Sequence, residues 1–164
     1  MAYYLSNERD HDVVAAYRRY QEYLRQHQRE FPAGAYALAT AEWYYNPGDH
    51  RSPHDGWLEN FIISEIPGHD EKRVTTIRTR LLSAYHDGYI EFVYPRVFTY
   101  TLEGPSGERG LGDWLYDEFR LSPNGHLVHE IEWAGFPSDN GSRWIVESSD
   151  VEFHWIPRSN SGAH

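Results

Sequence analysis

Two polar residues on an otherwise apolar strand face, Asp117 and His129, have the chemistry for proton transfer. The apolar alternation on both sides of residues 123–125, Pro-Asn-Gly, predicts a β-hairpin whose three-residue loop ends in a left-handed glycine. The predicted pairing places both side chains on the inward face, one step apart diagonally. A buried aspartate beside a histidine can act as a general acid and base. We favour a structural pair instead, because buried polar groups require hydrogen-bond partners.

The pairing of this hairpin follows from centring it on the Pro-Asn-Gly loop. It predicts four facing pairs: Leu121 with Leu127, Phe119 with His129, Asp117 with Ile131, and Leu115 with Trp133. The other face of the same hairpin carries Glu118, Glu130 and Glu132, with Tyr116 and Trp114 nearby. Like charges that face each other destabilise a free sheet, and a basic partner would relieve that cost. These five residues are therefore the candidate binding face, and a merely solvated strand face is the alternative.

A loop rich in histidine and aspartate spans residues 46–56, NPGDHRSPHDG. Imidazole and carboxylate groups suit zinc or a similar divalent ion, and the candidate ligands are Asp49, His50, His54 and Asp55. A His-x-x-x-His spacing brings both rings to one side only within a helix, and Pro53 interrupts the helix here. A polar surface loop is the interpretation that we favour, with a metal site as the alternative and no cofactor expected.

The stretch IRTRLLSAYHDGYIEFVYPRVFTYTL, residues 77–102, predicts a second hairpin. Asp-Gly between alternating apolar runs is typical of a two-residue turn, so Asp87 and Gly88 are expected to form the loop. A third strand is expected to begin after Pro95. This loop predicts three facing pairs: Tyr85 with Ile90, Ser83 with Phe92, and Leu81 with Tyr94.

The remaining elements define the fold class. Apolar residues at helical spacing predict an amphipathic helix over residues 8–31, with Asn7 or Asp10 as its cap. Residues 35–45 fit a helix or a strand, and we favour a strand. The sequence therefore predicts one α+β domain over residues 1–157, with the helix packed on a mainly antiparallel, strongly curved sheet of about six to eight strands built from consecutive hairpins over residues 36–157. Residues 158–164 are expected to form a disordered tail.

The composition excludes several classes of protein. The net charge of −10 disfavours binding to nucleic acid and favours a basic protein partner. The absence of cysteine excludes a disulfide scaffold and suits the cytoplasm. No signal peptide and no apolar run long enough to cross a membrane are found. Aromatic residues on both faces of several strands make a homodimer through a sheet face an additional expectation.

Four segments, HDGWLENFIISE, TTIRTRLLSAYHDGYIEFVYPRVFTYTL, DWLYDEFRL and WIVESSDVEF, resemble an uncharacterised bacterial family. In arrangement, residues 36–157 are similar to the small antiparallel-sheet immunity proteins of bacterial polymorphic toxin systems. The resemblance implies a cytoplasmic bacterial protein that neutralises its partner by binding it, and it supplies no catalytic residues. The N-terminal helix lies outside it.

Three hypotheses follow. The first is a non-enzymatic acidic binding domain for a basic protein. The second is a small-ligand binder or an enzyme with a pocket in the aromatic-lined sheet, using Asp117, His129 and either Tyr85 or Tyr100. The third is a metal protein that uses the loop from His50 to Asp55.

Overall fold

A computed structural model describes residues 2–105, 108, 110–135 and 141–159. Within them, one antiparallel sheet of seven strands packs with two α-helices, so the predicted α+β fold is confirmed. The pairing order is β1-β2-β3-β6-β5-β4, β7 also pairs with β3, and the sheet does not close. The strands are β1 Trp57–Pro67, β2 Arg73–Leu82, β3 Gly88–Leu102, β4 Trp114–Leu121, β5 Leu127–Trp133, β6 Arg143–Ser148 and β7 Glu152–Pro157.

The N-terminal helix is shorter than predicted. A 3-10 turn, Asn7–Asp10, precedes α1, Val13–Gln26, and the prediction of one helix over residues 8–31 is wrong at both ends. Asp12 is the cap, because its carboxylate accepts a hydrogen bond from the Ala15 amide at 2.9 Å. The apolar face of α1 packs into the core through Ala16, Tyr20 and Leu24.

The strand interpretation of residues 35–45 is wrong. Ala33–Ala39 form α2, followed by turns, so the sheet begins at Trp57 and not near residue 36. The Asp150 carboxylate accepts the amides of Gly34 and Ala35 at 3.1 and 2.9 Å, which satisfies the free amides at the start of α2. Propensity alone does not reveal this support, since Asp150 lies 115 residues away from Ala35.

The hairpin predicted within residues 77–102 forms between β2 and β3, with a longer loop than predicted. Leu81 faces Ile90, and not Tyr94, because the Ser83 amide closes the loop on the Gly88 carbonyl. His86 takes the left-handed conformation, at φ 59°. Gly88 is needed inside β3, where a Cβ atom would lie 2.3 Å from the Trp155 ring. The shift is by an even number of residues, so the predicted inward residues of the two strands stay inward. Tyr85, predicted to face Ile90, lies in the loop and is exposed.

β3 runs through Pro95 without interruption, so the predicted separate strand after Pro95 is wrong. The first half of β3 pairs with β7, up to Val93, and the second half pairs with β6, from Val97. Pro95 lies at this change of partner, where none of the strand ladders pairs it. Its missing amide hydrogen therefore breaks no ladder hydrogen bond.

The hairpin around Pro-Asn-Gly forms between β4 and β5, and three of its four predicted pairs are confirmed. At the fourth, a β-bulge at Leu115 brings Trp114 opposite Trp133. The bulge also turns Trp114 toward the inward face, where it is fully buried. The predicted last strand pair is present as β6 and β7, while most of the predicted tail, residues 160–164, lies outside the described residues. No described helix has both the length and the apolar character needed to cross a membrane.

Candidate functional site

A buried hydrogen-bond network links Asp117 and His129, as their shared strand face predicts. His129 Nε2 lies 2.8 Å from Asp117 Oδ2, and the same oxygen accepts the Tyr44 hydroxyl at 2.7 Å. Trp114 Nε1 donates to the second oxygen, Oδ1, at 3.1 Å. Three donors directed at two oxygens form the environment that a carboxylate anion requires.

The network also provides a partner for each ring nitrogen of His129. Since Asp117 only accepts, we assign the hydrogen to Nε2, which leaves Nδ1 as an acceptor for the Tyr94 hydroxyl at 2.7 Å. Both ring nitrogens are thus occupied, and the ring is completely buried. The geometry therefore supports the structural interpretation of the pair. Tyr85 and Tyr100, the other residues of the enzyme hypothesis, are exposed and do not join the network.

Burial keeps three tyrosines of the site, Tyr4, Tyr44 and Tyr94, as neutral phenols. Burial, followed by the charge of Asp117, raises the pKa of Tyr44 and of Tyr94 well above 10. Burial and the neighbouring Tyr116 and Asp117 raise the pKa of Tyr4 to about 12. Each hydroxyl therefore keeps its proton at neutral pH and can act as a donor.

A cleft of about 160 Å³ opens from this network toward solvent. Four parts of the chain form its wall: the N-terminal segment (residues 2–11), the turn after α2, the 46–56 loop and β4. Its lining is mostly aromatic, with the Asp117 side chain at one wall: Tyr4, Tyr44, Tyr45, Pro47, Pro53, His54, Trp114, Leu115, Tyr116 and Asp117.

The rings that surround the cleft present faces and edges to one another. Tyr4 meets Tyr116 at 82° with 5.3 Å between ring centroids, and Tyr44 meets Tyr45 at 81° with 4.8 Å. The His54 ring stands at 73° to Tyr116. Such an arrangement lines the cleft with aromatic rings, whose π faces carry partial negative charge.

The negative charge of Asp117 has no cationic partner in the described part of the chain. Its donors are an indole, a phenol and an imidazole, and no described Lys or Arg lies within ion-pair distance of it. Asp117 is also the one acidic residue among the described residues that line the cleft, and no Lys or Arg belongs to this lining. The electrostatic potential of the cleft therefore favours a cation.

The predicted binding face of the β4–β5 hairpin is covered by the chain itself, which corrects the expectation that it is exposed. The backbone amides of Tyr3, Tyr4 and Leu5 all donate to the Glu118 carboxylate, at 2.6–3.2 Å. Glu118 is completely buried as a result. The N-terminal segment, residues 2–11, thus occupies the surface that we assigned to a partner.

Arginines of the same chain neutralise the other acids of that face. Arg120 pairs with both Glu118 and Glu130, and Arg143 bridges Glu130 and Glu132 at 2.9 and 3.0 Å. Burial raises the pKa of Glu130, but Arg120 and Arg143 more than offset it and hold the pKa below 4.5. Arg9 completes the cover by pairing with Glu132 at 3.3 Å.

The two aromatic residues of the predicted face separate in the structure. Trp114 belongs to the buried Asp117 network, and Tyr116 lines the cleft. The Arg9 guanidinium lies 4.2 Å from the centroid of the Tyr116 ring. A ring of this cleft therefore already accepts a cation from its own chain.

The candidate metal ligands of the 46–56 loop contact other partners in the structure. His50 bonds Asp87 at 2.5 Å and stacks on Tyr85, while Asp49 pairs with Arg51. His54 points to the cleft and lies 3.2 Å from the exposed Asp55. The described residues contain no group of three His, Asp or Glu side chains that could hold a metal ion.

Sequence reasoning missed Tyr4, Tyr44 and Tyr45 as site residues. The Tyr-Tyr pair at positions 3–4 has no strand or helix pattern of its own, and the pair at positions 44–45 ends a segment whose pattern fits either element. One feature of the sequence could have indicated them. A buried Asp117 needs hydrogen-bond donors, and tyrosine, the commonest aromatic residue of this chain, supplies a hydroxyl donor.

Searches of family models, of curated proteins and of solved structures found no match to this chain.

Proposed function

We propose that this protein is a non-enzymatic binding domain that recognises a basic protein partner through a cationic side chain inserted in the Asp117 cleft. The observation that carries the proposal is the buried Asp117 carboxylate, without a cationic partner, at the wall of an aromatic-lined cleft. A lysine or arginine head group would meet π faces and a negative charge together, and each attracts a cation.

The size of the cleft favours a side chain over a free metabolite. Pockets that enclose a small-molecule ligand commonly measure about 300–1,000 Å³. The cleft measures about 160 Å³, which suits the head group of one residue on a larger partner. The remaining contact area would come from the surrounding protein surface.

The charge distribution supports a basic partner beyond the cleft. Eight of the ten net negative charges come from residues 83–164, which include β4. The electric field of this negative charge speeds the encounter with a positively charged protein, and added salt weakens the field by screening it. The resemblance to immunity proteins suggests a more specific partner, a basic toxin neutralised in the bacterial cytoplasm.

A peptide titration tests the cleft directly. Short peptides that differ only in one position, lysine, trimethyllysine or norleucine, are added while the indole signal of Trp114 is followed by NMR. The lysine and trimethyllysine peptides should shift this signal saturably, and norleucine, a neutral chain of similar length, should not.

Two variants locate the binding. Tyr4→Leu and Tyr116→Leu keep apolar bulk but remove the π faces, and each should weaken binding about tenfold. Tyr85→Leu is the matched control, since Tyr85 is an exposed tyrosine outside the cleft. The proposal would be contradicted if the lysine and norleucine peptides shifted the Trp114 signal equally. It would also be contradicted if Tyr85→Leu weakened binding as much as Tyr4→Leu and Tyr116→Leu.

A further inference from the structure

The β1 strand forms an open edge of the sheet. Among the described residues it pairs only with β2, along its whole length from Trp57 to Pro67. Large apolar side chains stand in solvent on this strand, each 41–51% exposed: Trp57, Ile62, Ile63 and Ile66. A long apolar edge of this kind is a template for pairing with another strand.

The edge at the other end of the strand order, β4, is protected by side chains of α1 and by the segment before β1. The Tyr20 hydroxyl bonds both backbone groups of Phe119 on β4, at 2.8 and 3.0 Å. The Tyr23 hydroxyl accepts the Leu121 amide at 2.9 Å. The Trp114 amide donates to the Gly56 carbonyl at the other end of β4. Comparable cover is not seen along β1 in the described chain.

The residue types of β1, apolar or polar, are arranged symmetrically about Ile62. Reading outward in both directions, Phe61 corresponds to Ile63, Asn60 to Ser64, Glu59 to Glu65 and Leu58 to Ile66. Antiparallel strands related by a two-fold axis at Ile62 would therefore place apolar residues opposite apolar ones and polar residues opposite polar ones, with the β-bulge at Glu59 interrupting the ladder there.

The charges of the β1–β2 ribbon permit such a pairing. Residues 57–82 contain four acidic and four basic residues, so this ribbon lacks the negative excess of the rest of the chain. The two acids that would face each other are already neutralised, because Glu59 pairs with Arg80 at 3.2 Å and Glu65 with Arg73 at 3.0 Å. A basic partner would therefore gain little electrostatic attraction at this ribbon. A second copy of the chain meets no net charge repulsion there.

From these observations we infer that two copies of the chain associate edge to edge through β1, antiparallel, with the two-fold axis at Ile62. The exposed isoleucines become buried between the copies, and the two sheets become one. β1 and β4 lie at opposite ends of the strand order, so the dimer leaves the Asp117 cleft free. The inference is independent of the proposed function.

Sedimentation of the full chain over a range of concentrations tests the association. The wild-type protein should form dimers, and Ile62→Lys should raise the dissociation constant at least about tenfold by opposing two charges at the axis. Ile156→Lys, at an exposed isoleucine on β7, should leave it unchanged. A wild-type protein that stays monomeric at every concentration overturns the inference, as does a dimer that Ile62→Lys does not weaken.

Cross-linking tests the register, because the chain contains no cysteine. The Ile62→Cys variant should form a disulfide-linked dimer on oxidation, since facing residues of antiparallel strands are separated by about 5 Å between Cβ atoms. Ile66→Cys is the matched control on the same strand. In the inferred register the two introduced thiols lie eight residues, about 27 Å, apart. Equally fast cross-linking of both variants would refute this register.

Discussion

Asp117 links the turn after α2 to the sheet through hydrogen bonds. It connects Tyr44 from the turn after α2, Trp114 on its own strand and His129 on β5, and His129 extends the chain of bonds to Tyr94 on β3. All five groups are buried, so each bond forms in a medium of low dielectric constant. The network therefore fixes how the 41–56 segment sits on the sheet.

The Asp117→Asn variant should lose about 3 kcal/mol of unfolding free energy, because an amide nitrogen would face hydrogen-bond donors in a buried site. Urea unfolding followed by tryptophan fluorescence measures this loss. Asp55→Asn, at an exposed carboxylate, should stay within about 0.5 kcal/mol of the wild type. A similarly small change in Asp117→Asn would show that the network is not structural.

Alkaline pH should destabilise the protein through its buried phenols. Burial raises the pKa of Tyr20, Tyr44, Tyr45 and Tyr94 well above 10 in the folded state. Above pH 10 the unfolded chain releases protons that the folded chain retains, so stability that is complete below pH 10 declines as pH rises further. Tyr4 prolongs this decline to its pKa of about 12.

Urea unfolding at several pH values between 8 and 11.5 measures the slope. Tyr94→Phe removes one of the buried phenols and should flatten the slope above pH 10. An unchanged slope in this variant would show that Tyr94 retains no proton on folding.

At the scale of elements, the N-terminal segment acts as a cover for the β4–β5 hairpin. Glu118 accepts three successive amides of that segment, and Arg9 attaches it to Glu132 and to the Tyr116 ring. The acidic face is thus stabilised within one chain by the interactions that a basic partner was expected to supply.

Glu118→Gln should loosen this cover, because its amide group would oppose the backbone donors of the segment. Hydrogen exchange should show faster exchange at Tyr3, Tyr4 and Leu5, with β1 and β2 unchanged. Glu152→Gln, at an exposed position on β7, should leave all of these amides as they are. Equal protection of the segment in Glu118→Gln would contradict its role as an anchored cover.

Local patterns predicted the inward faces of both hairpins and the meeting of Asp117 with His129, since alternation and turn residues act over short distances. They did not predict that Asp150 supports α2 or that residues 2–11 cover Glu118, because these contacts join residues more than 110 positions apart. The loop at Asp87 and Gly88 was misplaced because Trp155 packs against Gly88, which is also a long-range contact.

Across the whole molecule, charge and apolar surface are divided between two ends of the sheet. The neutral, apolar ribbon at β1 serves the inferred self-association, and the acidic half that contains β4 serves the proposed recognition of a basic partner. Added salt should therefore strengthen the dimer, by screening repulsion between two acidic chains, and weaken binding of the basic partner. Sedimentation at two salt concentrations measures the dimer, and peptide titration at the same two concentrations measures binding of the basic partner. If salt strengthened both or weakened both, the assignment of the two ends of the sheet to different partners would be contradicted.

Native mass spectrometry of the protein isolated from the cells that produce it tests the central claim most directly. The account predicts a basic protein bound in stoichiometric amount to the wild type, and its loss from Tyr116→Leu but not from Tyr85→Leu. A stoichiometric metal ion or small molecule, or a protein partner retained equally by both variants, would contradict it.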